Sequence, residues 1–236
     1  MVEMSSRILF DERVNDIDEY FNFIEFLISK RPLMSYVDDG IQKNSPVSTD
    51  TTHILKSNGY LVLYNLIEAT ISNAIEDIHD TLICDQNVGV DTLCISLAKR
   101  ALLKFDQPTI GNEDFSSTDV QRLVLESWIK KHKQLLSQHK NPLFSGNVDA
   151  RKIREVAVDY GFSHETAGES TGQGRCLYHI RVARNSLAHG ANSFKEMGIS
   201  TSIDELIRFK DETKCYLDQI LNNIKAYLED KKYLKN

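Results

Sequence analysis

Between about Thr52 and Ile83 the chain has no proline, and Leu61, Tyr64, Ile67, Ile71, Ile75 and Ile78 recur three and four residues apart. That rhythm holds one face of an α-helix apolar along its whole length. The stretch therefore predicts a single long core helix, with Gly59 expected to bend or interrupt its beginning. A helix of this length has to bury its face against other elements. With only 11 Gly and 4 Pro in 236 residues there is little turn-forming material for an all-β architecture or a long disordered linker. The expectation is an all-α protein, read as one domain over 1–236, with an N-terminal helix and loop over 1–48.

The other punctuation agrees with helices. Val14, Ile17, Phe21, Ile24 and Ile28 mark a helix from about Asp11 to Lys30, closed by Pro32. Met34 to Asp50 carries Gly40, Asn44, Ser45, Pro46 and Ser48 and reads as a loop. Helices follow from Val90 to Phe105 and from about Thr118 to Gln138. They are separated by Pro108, Gly111 and Asn112, and the second is capped by Ser117 or Thr118. Asn141, Pro142, Ser145 and Gly146 break the chain before a short helix from Asp149 to Tyr160 that stops at Gly161. Ser163 to Gly174, rich in Gly, Ser, Thr and Glu, reads as a mobile loop, and another helix begins near Arg175. Ser202-Ile203-Asp204-Glu205 is a capping-box pattern that opens a last helix of about thirty residues.

Charge narrows the functional classes. Lys plus Arg is 28 against 34 for Asp plus Glu, a net charge of −6, which argues against a protein coated with phosphate-binding charge. Local basic stretches remain, at Lys130, Lys131, Lys133, Lys140, Arg151, Lys152 and Arg154, and at Arg175, Arg181, Arg184 and Lys195. Such runs suit either a phosphate backbone or plain solvation. The four cysteines stand singly, signalling neither a zinc site nor a disulfide framework, so a reducing cytoplasmic setting is expected. No stretch is long and apolar enough for a signal peptide or a membrane span.

The segment richest in chemistry is Arg181-Val182-Ala183-Arg184-Asn185-Ser186-Leu187-Ala188-His189-Gly190. At about 100° per residue, Tyr178, Arg181, Arg184, Asn185 and His189 share one helical face, while Ile180, Ala183 and Leu187 lie on the opposite one. An Arg, an Asn and a His near a helix end also serve simply to cap carbonyls and favour the helix dipole. Spacing alone leaves both readings open.

Arg184-Asn185-Ser186-Leu187-Ala188-His189 fits the R-x4-6-H signature of the HEPN superfamily. With Tyr64-Asn65-Leu66-Ile67-Glu68-Ala69-Thr70, Ser145-Gly146-Asn147-Val148-Asp149-Ala150-Arg151-Lys152-Ile153-Arg154-Glu155 and Ser193-Phe194-Lys195-Glu196-Met197-Gly198, the chain resembles the MAE-type branch of HEPN nucleases over roughly residues 50 to 230. The resemblance implies an up-and-down helical bundle, homodimerisation, and metal-independent RNA cleavage at the dimer interface. It also implies a role as a toxin or phage-defence effector, with an antitoxin or regulatory partner. Toxins of a neighbouring subtype, silenced by nucleotidylation, carry a tyrosine two positions after the histidine. Here that position is Ala191, so that mode of silencing is not supported.

RNA carries its own nucleophile, the 2′-hydroxyl. A ribonuclease therefore needs a base, an acid for the departing 5′-oxygen, and positive charge for the phosphorane, and no metal or other cofactor. Histidine, which ordinarily titrates near neutrality, assigns the base or acid role to His189, with its counterpart from a second subunit taking the other. Arg184 can hold two phosphate oxygens in a bidentate fork. Asn185, one turn before His189, orients the imidazole or binds phosphate. Arg181, Tyr178 and Arg175 are expected to bind substrate.

Glu68 and Asn65 stand one turn apart on an otherwise apolar helix and need partners. They form either a structural hydrogen-bonded pair or a support for His189 or Arg184. His79-Asp80, with His53, invites a metal-phosphohydrolase reading, but the remaining ligands have no convincing positions. The alternatives to the nuclease are a non-catalytic helical module that binds RNA or a partner protein, and, more weakly, a DNA-cutting enzyme.

Overall fold

The computed structural model describes residues 3–104, 117–138, 140–144 and 146–235. Its helices are α1 (Ser5–Lys30), α2 (Thr49–Cys84), α3 (Ile95–Lys104), α4 (Ser117–Ser137), α5 (Ala150–Tyr160), α6 (Gly168–Thr171), α7 (Arg175–Ala188), α8 (Phe194–Ser200) and α9 (Ile203–Glu229). Short 3-10 turns stand at Val90–Thr92 and Gly172–Gly174. Strands β1 (Leu33–Asp38) and β2 (Ile41–Pro46) form the one sheet among the described residues. The expected breaks at Pro108, Gly111, Asn112 and Ser145, and the side chains of Ser117 and Thr118 expected to cap α4, lie outside what is described.

Helix α2 is the axis of the fold, and α1, α7, α8 and α9 pack around it. Ile67, Ile71, Ile75 and Ile78 are fully buried, as their periodicity predicts, and Ala74 joins them. Gly59 does not interrupt the helix. Its missing side chain instead admits Phe21 of α1, whose ring lies 3.3 Å from where a Cβ would stand. The start of α1 has no local side-chain cap; Asp77 of α2 supplies one, accepting from the backbone N–H of Ser5 (3.2 Å) and Ser6 (3.0 Å). Phe10, Ile17 and Phe21 join the same core as α2, so α1 is part of the body that carries the site.

The C-terminal end of α2 is held by Arg122 of α4. Its guanidinium donates to the carbonyls of Leu82, Ile83, Asp85 and Val88, and the Asp85 carbonyl also accepts from the Val88 N–H. Helix α8 lies against the other end. A Cβ on Gly198 would stand 1.9 Å from the carbonyl oxygen of His53, so the two backbones touch. Ser57 donates to the Phe194 carbonyl, and the buried Lys56 ammonium donates to the Thr201 carbonyl at 2.6 Å. Burial lowers the Lys56 pKa.

Two expectations are corrected. Met34 to Asp50 is largely a β-hairpin, not a loop: Asp39 (φ 51°) and Gly40 (φ 76°) form a two-residue turn of the primed kind that matches strand twist. Counting Gly40, Asn44, Ser45 and Pro46 as loop formers hid the Asp-Gly signal flanked by Tyr36, Val37 and Ile41. The Ser163–Gly174 segment is also no free loop. It carries α6, buries Thr171, and is tied to α9 by the bonds Ala167 N–H to Gln219 (2.6 Å) and Asn223 to the Glu165 carbonyl (2.8 Å).

Candidate active site

Helix α7 carries the residues that the sequence singles out, and its placement starts at Gly174. That residue has φ +73°, and a Cβ there would come within 2.5 Å of Ala150 and 2.9 Å of Tyr216, so α7 enters tight against α5 and α9. Cys176, Leu177, Ile180, Ala183 and Leu187 are buried, which turns Tyr178, Arg181, Arg184 and Asn185 outward as expected from the wheel. The helix closes in a Schellman motif: Gly190, at φ +69°, donates to the Leu187 carbonyl (3.2 Å), and Ala191 to that of Ser186 (2.9 Å). His189 is the C-cap, and its imidazole is exposed.

Four consecutive residues before and at the cap of α5 anchor α7 and α2 together. The Gly146 carbonyl accepts from Arg184 Nη1 (3.2 Å), and Asn147 accepts from the Asn185 amide (2.7 Å). The Val148 N–H donates to the buried Tyr64 hydroxyl (3.1 Å). Asp149 caps α5 through the Lys152 N–H (3.0 Å) and pairs with Arg181 Nε (3.1 Å). Gly146 has φ +73°, and a Cβ would meet the Arg184 guanidinium at 3.4 Å; glycine there satisfies both the left-handed backbone and the space needed by the arginine.

Arg184 is therefore immobilised. Its guanidinium lies 4.5 Å above the Tyr64 ring, and Nη1 also donates to Asn185 Oδ1 at 2.9 Å. Among the described residues no carboxylate stands within 4 Å of it, so its charge is not neutralised by an ion pair. Arg184 forms one border of a cleft of about 310 Å³, lined on the α2 side by Leu61, Tyr64, Asn65, Glu68, Ala69 and Ser72. Burial raises the Tyr64 hydroxyl to about 12; the Val148 N–H and Arg184 act in the opposite direction, and neighbouring Glu68 adds to the rise.

The other expected site residues fall around this cleft. Asn65 is exposed and Glu68 half-buried, and both line the cleft with Arg184. No hydrogen bond joins Asn65 to Glu68, which corrects the expectation of a structural pair. Asn185 turns to Arg184 and Asn147 rather than to the imidazole. His189 lies outside the cleft. Arg181 is held between Asp149 and the Tyr178 ring (5.1 Å), its charge answered by the buried carboxylate. Arg175 is exposed, donating to the Gly172 carbonyl. In the first basic stretch, Lys133 pairs with Asp80, and Arg151 and Lys152 both pair with Glu155.

The metal-phosphohydrolase reading loses His79 to the core, while Asp80 is exposed and pairs with Lys133. His79 is fully buried, bonds the Tyr160 hydroxyl at 3.0 Å and stacks edge-on against Trp128 and His132. Among the described residues no group of three or more His, Cys, Asp or Glu side chains converges as a metal site. Sequence reasoning missed the roles of Tyr64, Gly146 and Asn147. The only available signal was their presence in the segments that resemble the family.

A family model described as HEPN_MAE_28990-like HEPN matches residues 6–233, which includes α1 as well as the segment from which the resemblance was read. Neither the curated proteins nor the solved structures yield a match. No described helix is long and apolar enough to cross a membrane.

Proposed function

The chain belongs to the HEPN_MAE_28990-like HEPN family, and from that premise we propose that it is a metal-independent endoribonuclease whose site pairs Arg184 with His189 across a homodimer. The observation that carries the reading is the state of Arg184. It is clamped by Gly146, Asn185 and Tyr64, has no carboxylate partner within 4 Å among the described residues, and faces a cleft. A guanidinium held this way spends little entropy on binding and keeps an Nη2 edge for phosphate oxygens.

In this reading His189 takes the proton of the RNA 2′-hydroxyl as that oxygen attacks phosphorus. The P–O5′ bond breaks, and the same histidine of a second copy delivers a proton to the departing oxygen. The products are a 2′,3′-cyclic phosphate and a 5′-hydroxyl. The exposed C-cap position of His189 suits a group completed by a second subunit. Asn185 acts through Arg184 as a positioning residue, while Arg181, Tyr178 and Arg175 extend the basic edge along which RNA runs. Uncontrolled cleavage of this kind arrests growth, so a toxin or phage-defence role under a regulatory partner follows from the same reading.

The contacts of Arg184 also favour a second reading, in which it is a structural clasp joining α7 to the 146–149 segment in a non-catalytic RNA- or protein-binding module. The two separate in one experiment: purified protein is incubated in EDTA with RNA and with DNA of the same sequence. Cleavage of RNA alone is expected. RNA bound without products supports the clasp, and cleavage of both polymers contradicts 2′-hydroxyl chemistry.

A further inference from the structure

The cleft beside Arg184 has a composition that phosphate binding does not explain. Asn65, Glu68 and Ser72 recur at i, i+3 and i+7 on α2, with the apolar Leu61 and Ala69 on the same face. The Ser72 hydroxyl accepts from Asn141 (2.8 Å) and keeps its own O–H to donate, so Asn65, Glu68 and Ser72 all present polar groups to a ligand. Glu68 lies beside the Tyr64 hydroxyl, whose O–H can serve one of its oxygens, and among the described residues no cation stands within 4 Å of it. A carboxylate in the wall of a phosphate site opposes an anion and favours a ligand part that donates hydrogen bonds.

We propose that this cleft is a guanine-binding subsite in which Glu68 reads the Watson–Crick edge of an RNA base adjacent to the phosphate held by Arg184. The proposal rests on the ribonuclease reading for the identity of the polymer. A carboxylate offers two acceptors side by side and no donor. Guanine presents two adjacent donors, N1–H and the exocyclic amine, and pairs with both oxygens. Adenine and cytosine each place an acceptor beside their amine, and uracil flanks its single donor with two carbonyls; each would set lone pairs against the carboxylate. The Asn65 amide, one turn earlier on the same face, can donate to the guanine O6. Leu61 and Ala69 supply apolar contact for the ring, and the volume of about 310 Å³ is enough to admit one base. Unpaired single-stranded RNA offers its Watson–Crick edge in this manner.

The test titrates the four nucleoside 3′-monophosphates into the full chain by calorimetry, independently of any cleavage. Wild type is expected to bind 3′-GMP at least about tenfold more tightly than 3′-AMP, 3′-CMP or 3′-UMP. Glu68→Gln, half-buried and isosteric, should bring the four within about twofold, while Arg184→Ala should weaken all four alike. Equal affinities in the wild type, no binding of any nucleotide, or an unchanged preference in Glu68→Gln would overturn the subsite. The wild-type comparison stands even where the variant folds poorly. A guanine preference in a protein that leaves RNA intact would remove the nuclease reading and keep the subsite.

Discussion

Replacing Gly198 by alanine should destabilise the protein, although the same change in an unconstrained helix interior stabilises by up to about 1 kcal/mol. The new Cβ would stand 1.9 Å from the His53 carbonyl oxygen, where ordinary contact begins near 3.4 Å. Helices α8 and α2 must therefore part by about 1.5 Å (3.4 − 1.9). The obstacle is backbone, so no rotamer change relieves it, and the cost belongs at the upper end of overpacking penalties, about 3 kcal/mol. For a chain of this length that lowers Tm by roughly 6–12 °C. Because α8 follows His189 after a short turn, the strain should also loosen the end of α7 and reduce any RNA cleavage. Scanning calorimetry and urea denaturation of wild type and Gly198→Ala measure the effect. A variant as stable as wild type, or more stable, would refute the backbone contact on which the placement of α8 depends.

Arg184→Lys keeps the charge but loses the planar stack on Tyr64 and the fork, so RNA cleavage should fall by at least about 100-fold while urea denaturation shows the fold retained; near-normal cleavage would mean that a point charge suffices. Tyr64→Phe keeps the ring beneath Arg184 but leaves the buried Val148 N–H without its acceptor, which should cost about 1–3 kcal/mol in denaturation with a smaller loss of activity than Arg184→Lys. His79 and His132 are both neutral in the fold: burial is the largest cause in each case, with the positive charges of Arg100 and Lys133 adding to it, and His132 is held at about 4. Both native values lie below the ordinary 6.5, so the unfolded chain binds protons first. Their stabilisation is complete above about pH 6.5 and declines as pH falls below it, the share of His132 being lost by about pH 4. Urea midpoints across that range should decline, and in His132→Phe the decline should be shallower; an identical slope would remove His132 from the account.

What could be read in advance divides by range of interaction. Helix α2, the opening of α9 at Ser202 and the stop of α5 at Gly161 follow from local periodicity and caps, and all three stand where expected. The outward face of α7 was equally legible, since 3.6-residue spacing alone separates Arg184 from Ile180 and Leu187. Helix α8 was not, although Ser193 and Glu196 form a full capping box, because only seven residues follow and their stability comes from Gly198 against His53. Nor does spacing tell that Tyr64 lies under Arg184, or that Gly146 and Asn147 fix Arg184 and Asn185, since these contacts join segments 38 or more residues apart. The resemblance pointed to those segments without saying what their residues touch.

The central claim is that Arg184 and His189 direct attack by the RNA 2′-hydroxyl. It is tested most directly by the chemistry of the product ends. Wild type, Arg184→Ala and His189→Ala, each checked for folding and oligomeric state, are incubated with RNA in EDTA and the termini identified by mass spectrometry. Fragments ending in 2′,3′-cyclic phosphate and 5′-hydroxyl from wild type alone are the predicted result. Equal cleavage by either variant, or fragments with 3′-hydroxyl and 5′-phosphate ends, would contradict it.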